Sequence, residues 1–173
     1  MKNNIIMAIS LSILMAACSS NSNNSNLNVS NNIDDLVHWG LSSSNILSGD
    51  AHSGLYSTKV DSLNPFSVTF QKKLTDISKT KITKIEYQAW VKTSILPKKI
   101  YFVCSVELEN GEHILYEGTQ IDKQVLKVNE WTLVKGFLDL TKEVPANTIV
   151  KIYFHSPEKE SAVIDDYEIN FIN

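Results

Sequence analysis

Aromatic and amide side chains recur at alternate positions of strand-like segments, where they could bind a ligand. In residues 84–93, "KIEYQAWVKT", one set of alternate positions is apolar, so the opposite set is expected to face solvent. The outward positions in this and two later segments include Gln88, Trp90, Tyr101, Glu107 and Tyr153. Flat aromatic rings stack on sugar C–H groups, and amides and carboxylates bond to hydroxyls. The pattern predicts an oligosaccharide-binding face. The alternative is that Trp90 packs beneath a loop and has a structural role.

A group of glutamates around the turn at Asn110-Gly111 offers a different chemistry. The group consists of Glu107, Glu109, Glu112 and Glu117. Two such carboxylates at a suitable separation can hydrolyse glycosidic bonds, although their alternation with apolar residues is also typical of an exposed strand face. The sequence has no His-rich metal set, no Gly-rich phosphate loop and no nucleophile motif. We therefore predict binding without catalysis and keep an enzyme as the alternative.

The N-terminal residues indicate where the chain resides. Lys2 precedes an apolar run from Ile5 to Met15, which is shorter than the roughly 20 residues that span a bilayer and is typical of a secretory signal. The stretch "LMAAC", which ends at Cys18, resembles a bacterial lipobox. The resemblance implies a signal peptide over residues 1–17, lipidation of Cys18 and a place at the bacterial cell envelope, in the outer membrane, with membrane contact through the lipid alone.

Composition divides the rest of the chain into a tether and one domain. Residues 18–32 are almost entirely Ser and Asn and cannot bury enough apolar surface to offset the entropy of ordering. We predict a flexible tether there and a single domain over residues 33–173. The net charge of −3, without a basic stripe, excludes nucleic acid as a partner. Cys104 is the only cysteine besides Cys18, and its apolar alternation predicts a buried core residue rather than a nucleophile.

A period of two, the mark of half-buried strands, runs through this domain. The predicted strands cover residues 56–61, 66–71, 84–93, 99–109, 113–117, 131–137, 149–155 and 162–172. Asn110-Gly111 is the strongest hairpin motif in the chain, and all four prolines fall between predicted strands. Because no helices alternate with the strands, the expected fold is all-β, an antiparallel β-sandwich of the jelly-roll type.

Four short motifs occur in an order that is found in a known family. They are "AHSGLYS" at 51–57, "AWVK" at 89–92, "WTLV" at 131–134 and "VIDDYEI" at 163–169. Together they resemble the galactose-binding-like β-sandwich of the carbohydrate-binding modules attached to bacterial glycan-degrading enzymes, from about Ile33 to the C-terminus. The resemblance implies the sandwich and a polysaccharide or oligosaccharide partner. A lipoprotein that uses the same sandwich to bind a protein partner is the alternative, because fold does not imply function.

The resemblance also implies roles for residues near the "HSG" turn. Gly54 is expected to adopt a backbone conformation that a Cβ would resist, and His52 is expected to pack and to form hydrogen bonds rather than to act in catalysis. Trp39 and Trp131 are expected to pack in the core.

Finally, the resemblance implies a structural Ca²⁺, a cation that binds six to eight oxygen ligands. The matching positions are Asp165, Asp50 and the backbone around Asn32 and Gly49. Asp165 alternates in phase with Tyr167, so it is expected to point inward and to need a partner. The alternative is that Asp165 accepts backbone N–H bonds.

Overall fold

The computed structural model describes residues 27–36, 39–40, 45–145 and 147–173, so the predicted signal peptide and Cys18 lie outside the described residues. The strands in these ranges are β1 (Leu27–Asn31), β2 (Trp39–Gly40), β3 (Ile46–Ser48), β4 (Tyr56–Val60), β5 (Thr69–Lys73), β6 (Lys84–Lys92), β7 (Tyr101–Glu107), β8 (His113–Gln120), β9 (Thr132–Asp139), β10 (Ile149–His155) and β11 (Ala162–Ile172). One helical turn, α1 (Leu74–Ile77), follows β5. Within these ranges, no helix combines the length and the apolar character that crossing a bilayer requires.

The strands form two antiparallel sheets that pack face to face, which confirms the predicted β-sandwich. One sheet has six strands in the order β3-β4-β11-β6-β9, with β1 paired to β11, and the other has five in the order β2-β5-β10-β7-β8. Strand β11 is long enough to pair with β4 through its first residues and with β1 through its last ones, while β6 lies along its other edge.

The core between the sheets follows the alternation of the sequence. The inward positions of β6, from Ile85 to Val91, are at most 2% exposed. Phe102 of β7 stacks on Phe154 of β10 with ring centroids 4.1 Å apart. Cys104 is fully buried and burial raises its pKa, which confirms the prediction of a core residue. The two sheets therefore present two outer faces, on opposite sides of the sandwich.

The domain begins earlier in the chain than composition predicts. Residues 27–31, assigned to the flexible tether, form β1 and pair in register with residues 167–171 of β11. The Asn28 amide donates hydrogen bonds to Glu168 (2.8 Å) and to Asn170 (2.9 Å). The predicted end of the tether at residue 32 is therefore wrong, because backbone pairing and side-chain amide bonds order a strand that has little apolar surface.

A β-bulge in β11 changes which residues face the core. Trp90 and Gln88 are two residues apart on β6, but their partners on β11 are Asp165 and Glu168, three residues apart. Asp166 accommodates the extra residue with φ of +47°. The prediction that Asp165 shares the inward phase of Tyr167 is therefore wrong. Asp165 lies across from Trp90 on the outer side of the sheet, and it is buried there because the 49–55 loop covers it.

Candidate functional site

The five predicted ligand residues lie on two different outer faces. Gln88 and Trp90 belong to β6 of the six-stranded sheet, whereas Tyr101, Glu107 and Tyr153 belong to β7 and β10 of the five-stranded sheet. The prediction of one shared face is wrong because alternation shows which side of a strand faces outward but not which sheet the strand joins. The chain crosses from one sheet to the other between β6 and β7.

The outer face of the five-stranded sheet is covered by aromatic rings. Val103 and Ser105 of β7 point to this face, yet neither has any exposed surface. Their neighbours in the sheet are Tyr153, paired with Val103, and Tyr116 of β8, paired with Ser105. These long side chains, together with Lys151, which also pairs with Ser105, can bury Val103 and Ser105 on an outer face. The tyrosine rings therefore lie over the sheet instead of standing away from it.

Gly118 leaves room for two of these rings. It pairs with Val103, and a Cβ added to Gly118 would come within 3.2 Å of Tyr116 Cε1 and 3.6 Å of Tyr101 Cδ1. The Tyr116 side chain is 51% exposed, so the ring leans across Gly118 towards Tyr101 and still meets solvent. Because Gly118 has no side chain, the rings of Tyr101 and Tyr116 can lie close to the backbone. They form a low aromatic surface, one that rises little above this edge of the sheet.

A second aromatic pair extends the face towards β5. Phe66 stacks on His155 with ring centroids 4.4 Å apart and an angle of 8°, and it meets Tyr153 edge to face at 5.9 Å. Burial raises the pKa of Tyr153 to about 12, so its hydroxyl stays protonated and can donate a hydrogen bond at neutral pH. Beside these rings is an open groove of about 590 Å³, whose lining includes Phe66, Gln71, Glu107, His113, Lys151 and Tyr153.

Glu107 lies at the base of the groove in a closed network. One carboxylate oxygen accepts a hydrogen bond from Lys151 Nζ (2.6 Å) and the other from Ser105 Oγ (2.6 Å), while His113 Nδ1 is 3.5 Å away. Burial opposes ionisation, but Lys151 and Ser105 outweigh it, so the pKa of Glu107 lies below its ordinary value. The groove thus contains a fixed, ionised carboxylate beside a fixed ammonium.

The lowered pKa makes the contribution of Glu107 to stability dependent on pH. A carboxylate whose pKa is lower in the folded state stabilises the fold above its ordinary pKa and loses that effect as the pH falls through the folded value. We expect Glu107→Gln to lower the free energy of unfolding by about 2 kcal/mol at pH 7. The difference from the natural protein should shrink steadily below about pH 4.5 in urea unfolding measured at several pH values.

Glu109→Gln serves as the control for this measurement. Glu109 pairs with Lys73 at 2.6 Å, but both side chains are about half exposed, so solvent screens the pair. The control should unfold like the natural protein at every pH. A constant difference between Glu107→Gln and the natural protein from pH 7 to pH 3 would contradict the assigned ion pair.

Three residues of the aromatic surface and the groove beside it were not predicted from the sequence as part of this face. Tyr116 and His113 lie on β8, and Phe66 precedes β5. The hairpin at Asn110-Gly111 could have identified Tyr116, since counting back from the turn brings β8 beside β7. Nothing local in the sequence indicates that Phe66 stacks on His155, because the two residues are 89 positions apart and are joined by an isolated bridge.

The residues of the "HSG" turn have the structural role that was predicted. Gly54 has φ of +65°, and an added Cβ would come within 1.9 Å of the Asp34 carboxylate. His52 Nδ1 is 2.6 Å from Asp166 Oδ2, and its ring stacks on Trp90 with centroids 4.1 Å apart. These contacts confirm that His52 packs and forms hydrogen bonds.

Trp39 and Trp131 were both predicted to pack in the core, but only Trp39 does so. Trp39 is 6% exposed and packs edge to face against Phe70 and Tyr167, as expected for the core. Trp131 is only partly buried, so its assignment to the core is wrong. It meets His52 edge to face, and the Lys92 ammonium lies 4.8 Å from its ring centroid.

The positions predicted to bind calcium make other contacts. Asp165 accepts hydrogen bonds from the backbone N–H groups of His52 (2.7 Å), Ser53 (3.0 Å) and Asp166 (2.8 Å). Asp50 pairs with Lys92. The Asn32 side chain bonds to Asp34 and the Gly49 N–H donates to the Leu55 carbonyl, bonds that do not involve the backbone oxygens predicted as ligands at these two positions.

This arrangement does not fit a cage of six to eight oxygens, because N–H and ammonium donors occupy the carboxylates. In the part of the chain that is described, no three His, Cys, Asp or Glu side chains form a group that could hold a metal. Calcium binding stays a prediction that would require Asp50 and Asp165 to exchange these donors for the cation.

No protein-family model matches the sequence, and a search of curated proteins finds no match. Several solved structures of other proteins are similar to the structure of this chain. The CBM22-2 xylan-binding domain from Paenibacillus barcinonensis Xyn10C has a TM-score of 0.59 at 14% identity, over 83% of this chain and 98% of that one. The C-terminal family 22 carbohydrate-binding module of Clostridium thermocellum Xyn10B has a TM-score of 0.51 at 10% identity, over 83% of this chain and 91% of that one.

The CBM22-1-GH10 modules of Clostridium thermocellum xylanase 10B, solved with xylohexaose, have a TM-score of 0.52 at 13% identity, over 83% of this chain and 28% of that one. At these identities the similarity shows a shared β-sandwich fold.

Proposed function

We propose that this protein is a non-catalytic glycan-binding module that holds an oligosaccharide segment on the outer face of its five-stranded sheet. The proposal includes lipid attachment through Cys18 at the bacterial cell envelope. Only eight residues lie between Cys18 and Leu27, the first residue of β1. A chain of that length reaches about 30 Å when fully extended, which would hold the module close to the membrane surface.

The observation that carries the proposal is the low aromatic surface beside a polar groove. Tyr101, Tyr116 and Tyr153 supply rings close to the sheet, and the groove supplies the Lys151 ammonium, which Glu107 holds in place, together with the polar side chains of Gln71 and His113. Sugar rings present C–H faces and hydroxyl edges, so they need both kinds of contact at once. The similar folds support the proposal, because they include a xylan-binding domain and a module solved with xylohexaose.

The state of Glu107 supports binding rather than catalysis. A general acid in a glycosidase needs a raised pKa so that it carries a proton at neutral pH. The Lys151 ammonium and the Ser105 hydroxyl instead keep Glu107 ionised. Glu109, the next carboxylate along the chain, is engaged by Lys73 at the surface. Glu107 is 4% exposed and both of its oxygens are engaged, so its role is to hold the partly exposed Lys151 ammonium in place as a donor to sugar hydroxyls.

The test is a binding screen of the protein against immobilised polysaccharides, followed by titration with soluble oligosaccharides of those that bind. Tyr101→Ala and Tyr116→Ala are each expected to weaken binding by about tenfold or more, since buried aromatic contacts dominate binding energies. Tyr56→Ala is the matched control, because Tyr56 is 40% exposed on β4 of the other sheet. Unchanged circular dichroism and thermal unfolding would show that the variants keep the fold.

A well-folded protein that binds no polysaccharide would overturn the proposal. The alternative, a protein partner at the envelope, is favoured by several exposed apolar side chains in the loops between strands. Leu63 is 84% exposed, Leu126 is 72% exposed, and Ile95 and Leu96 are each more than half exposed. Exposed apolar residues of this kind suit a protein interface.

A further inference from the structure

A second groove covers part of the outer face of the six-stranded sheet and extends to Trp39, Phe70 and Lys72 of the other sheet. Its volume is about 770 Å³, larger than that of the groove beside Glu107. Its lining includes Asn31, Gln88, Trp90, Leu133, Asp166 and Glu168. Gln88, Trp90 and Leu133 are outward positions of β6 and β9, so part of the groove lies on the outer face of the six-stranded sheet.

The polar side chains of this face are held by one another. Glu168 accepts hydrogen bonds from the amides of Gln88 (2.7 Å) and Asn28 (2.8 Å), and Asn28 also donates to Asn170 (2.9 Å). The Asn28 and Gln88 hydrogen bonds lower the pKa of Glu168, so it is ionised at neutral pH. The network orients amide and carboxylate groups before any ligand arrives, which reduces the entropy lost on binding.

The Trp90 ring beside this network is held equally firmly. His52 stacks on it with an interplanar angle of 13°, and Asp166 fixes His52 through the 2.6 Å contact. Leu133 is the partner of Trp90 on β9 and adds apolar surface next to the ring. A rigid aromatic ring and an ordered amide-carboxylate network thus meet in one groove.

A second aromatic residue lies further along the same face. Phe137 is 55% exposed and is four residues beyond Leu133 on β9, a distance of about 13 Å along a strand. Between them, a smaller depression of about 290 Å³ is lined by Gln88, Lys135, Phe137 and Asn170, among others. The surface is therefore long enough for more than one sugar ring.

We propose that this face is a second glycan-binding site, which takes a segment of an uncharged oligosaccharide. One copy of the protein would then hold two chain segments, one on each side of the sandwich. The lining has three carboxylates, Asp35, Asp166 and Glu168, and one ammonium, Lys72, so its net negative charge disfavours acidic sugars. The inference shares its class of ligand with the proposed function, but it depends on different residues.

The experiment is calorimetric titration of the protein with three uncharged probes: xylohexaose, cellohexaose and β-1,4-galactotriose. We expect two binding sites per chain for at least one probe. The double variant Tyr101→Ala/Tyr116→Ala should keep one site, and Trp90→Ala should also keep one. Because Trp90→Ala removes the His52 stack, Gln88→Ala is the second variant, expected to weaken the Trp90 site by about tenfold. Tyr56→Ala is the control, with two sites.

The variants separate the two proposals. If the tyrosine double variant binds none of the probes while the natural protein binds, the second site is overturned and the proposed function stands. If Trp90→Ala and Gln88→Ala abolish binding and the tyrosine variant does not, the second site stands and the site on the five-stranded sheet is overturned. No binding of any probe overturns both. Binding of hexagalacturonic acid to the tyrosine variant as tightly as an uncharged probe overturns the assignment to uncharged sugars.

Discussion

Replacing Gly136 with alanine is expected to lower the free energy of unfolding by about 3 kcal/mol or more, at the upper end of the cost of overpacking a core. A Cβ at Gly136 would come within 2.3 Å of Tyr87 Cε2 and within 2.7 Å of Thr119 Oγ1. Tyr87 is 2% exposed and its ring is held edge to face against Phe102 at 4.7 Å, so it has little room to move. Because Thr119 belongs to the opposite sheet, the added methyl group would push the two sheets apart.

Gly40→Ala is the matched control for Gly136→Ala. A Cβ at Gly40 has its nearest contact at 3.6 Å, from the Thr69 carbonyl oxygen, which is an ordinary van der Waals distance. We expect it to change stability by less than about 0.5 kcal/mol. Urea unfolding of both variants measures the difference. Equal stabilities would mean that the sheets can separate at Gly136 at little cost, and would contradict the packing described here.

Asp165→Ala is expected to cost about 3 kcal/mol, because it leaves three backbone N–H groups without their acceptor. These are the N–H groups of His52, Ser53 and Asp166, which all point at a carboxylate with no exposed surface. Burial raises the pKa of Asp165, so removing the carboxylate also relieves a desolvation penalty. The three unpaired donors outweigh that relief.

Asp139→Ala, which removes an exposed carboxylate at the end of β9, is the control for Asp165→Ala and should be nearly neutral. The measurement combines urea unfolding with tryptophan fluorescence. Loss of the carboxylate should release the 49–55 loop and with it the His52 ring that stacks on Trp90. A variant as stable as the control, with unchanged fluorescence, would show that the N–H groups find other acceptors.

Features that depend on neighbouring residues could be predicted from the sequence. The alternation in residues 84–93 correctly assigned Ile85, Tyr87, Ala89 and Val91 to the core, and these strands led to the antiparallel sandwich. The hairpin at Asn110-Gly111 is also correct, with Gly111 at φ of +86°. A tight turn and a period of two are local consequences of backbone geometry, so a short stretch of sequence is enough to identify them.

Features that depend on distant partners could not be predicted. Leu27–Asn31 has the composition of a linker and becomes a strand only because the far end of the chain supplies its hydrogen bonds. The division of Trp90 from Tyr101 between two faces depends on which sheet each strand joins. The bulge at Asp166 places Asp165 on the outer side of the sheet instead of in the core, and no residue type in that stretch requires a bulge. The outward position of Trp90 and Tyr153 on their strands follows from alternation, but their place on two different faces does not.

The position of β11 has a consequence for how the protein is made. This last strand of the chain joins β1, β4 and β6 into one sheet, and its partner Leu27 precedes it by more than 140 residues. Contacts between such distant residues slow folding, because a long loop must close before they form. During synthesis the six-stranded sheet cannot close until residues 162–172 of β11 have left the ribosome. Until then β1 and β4 lack the strand that joins them to β6, so their edges stay unpaired in the nascent chain.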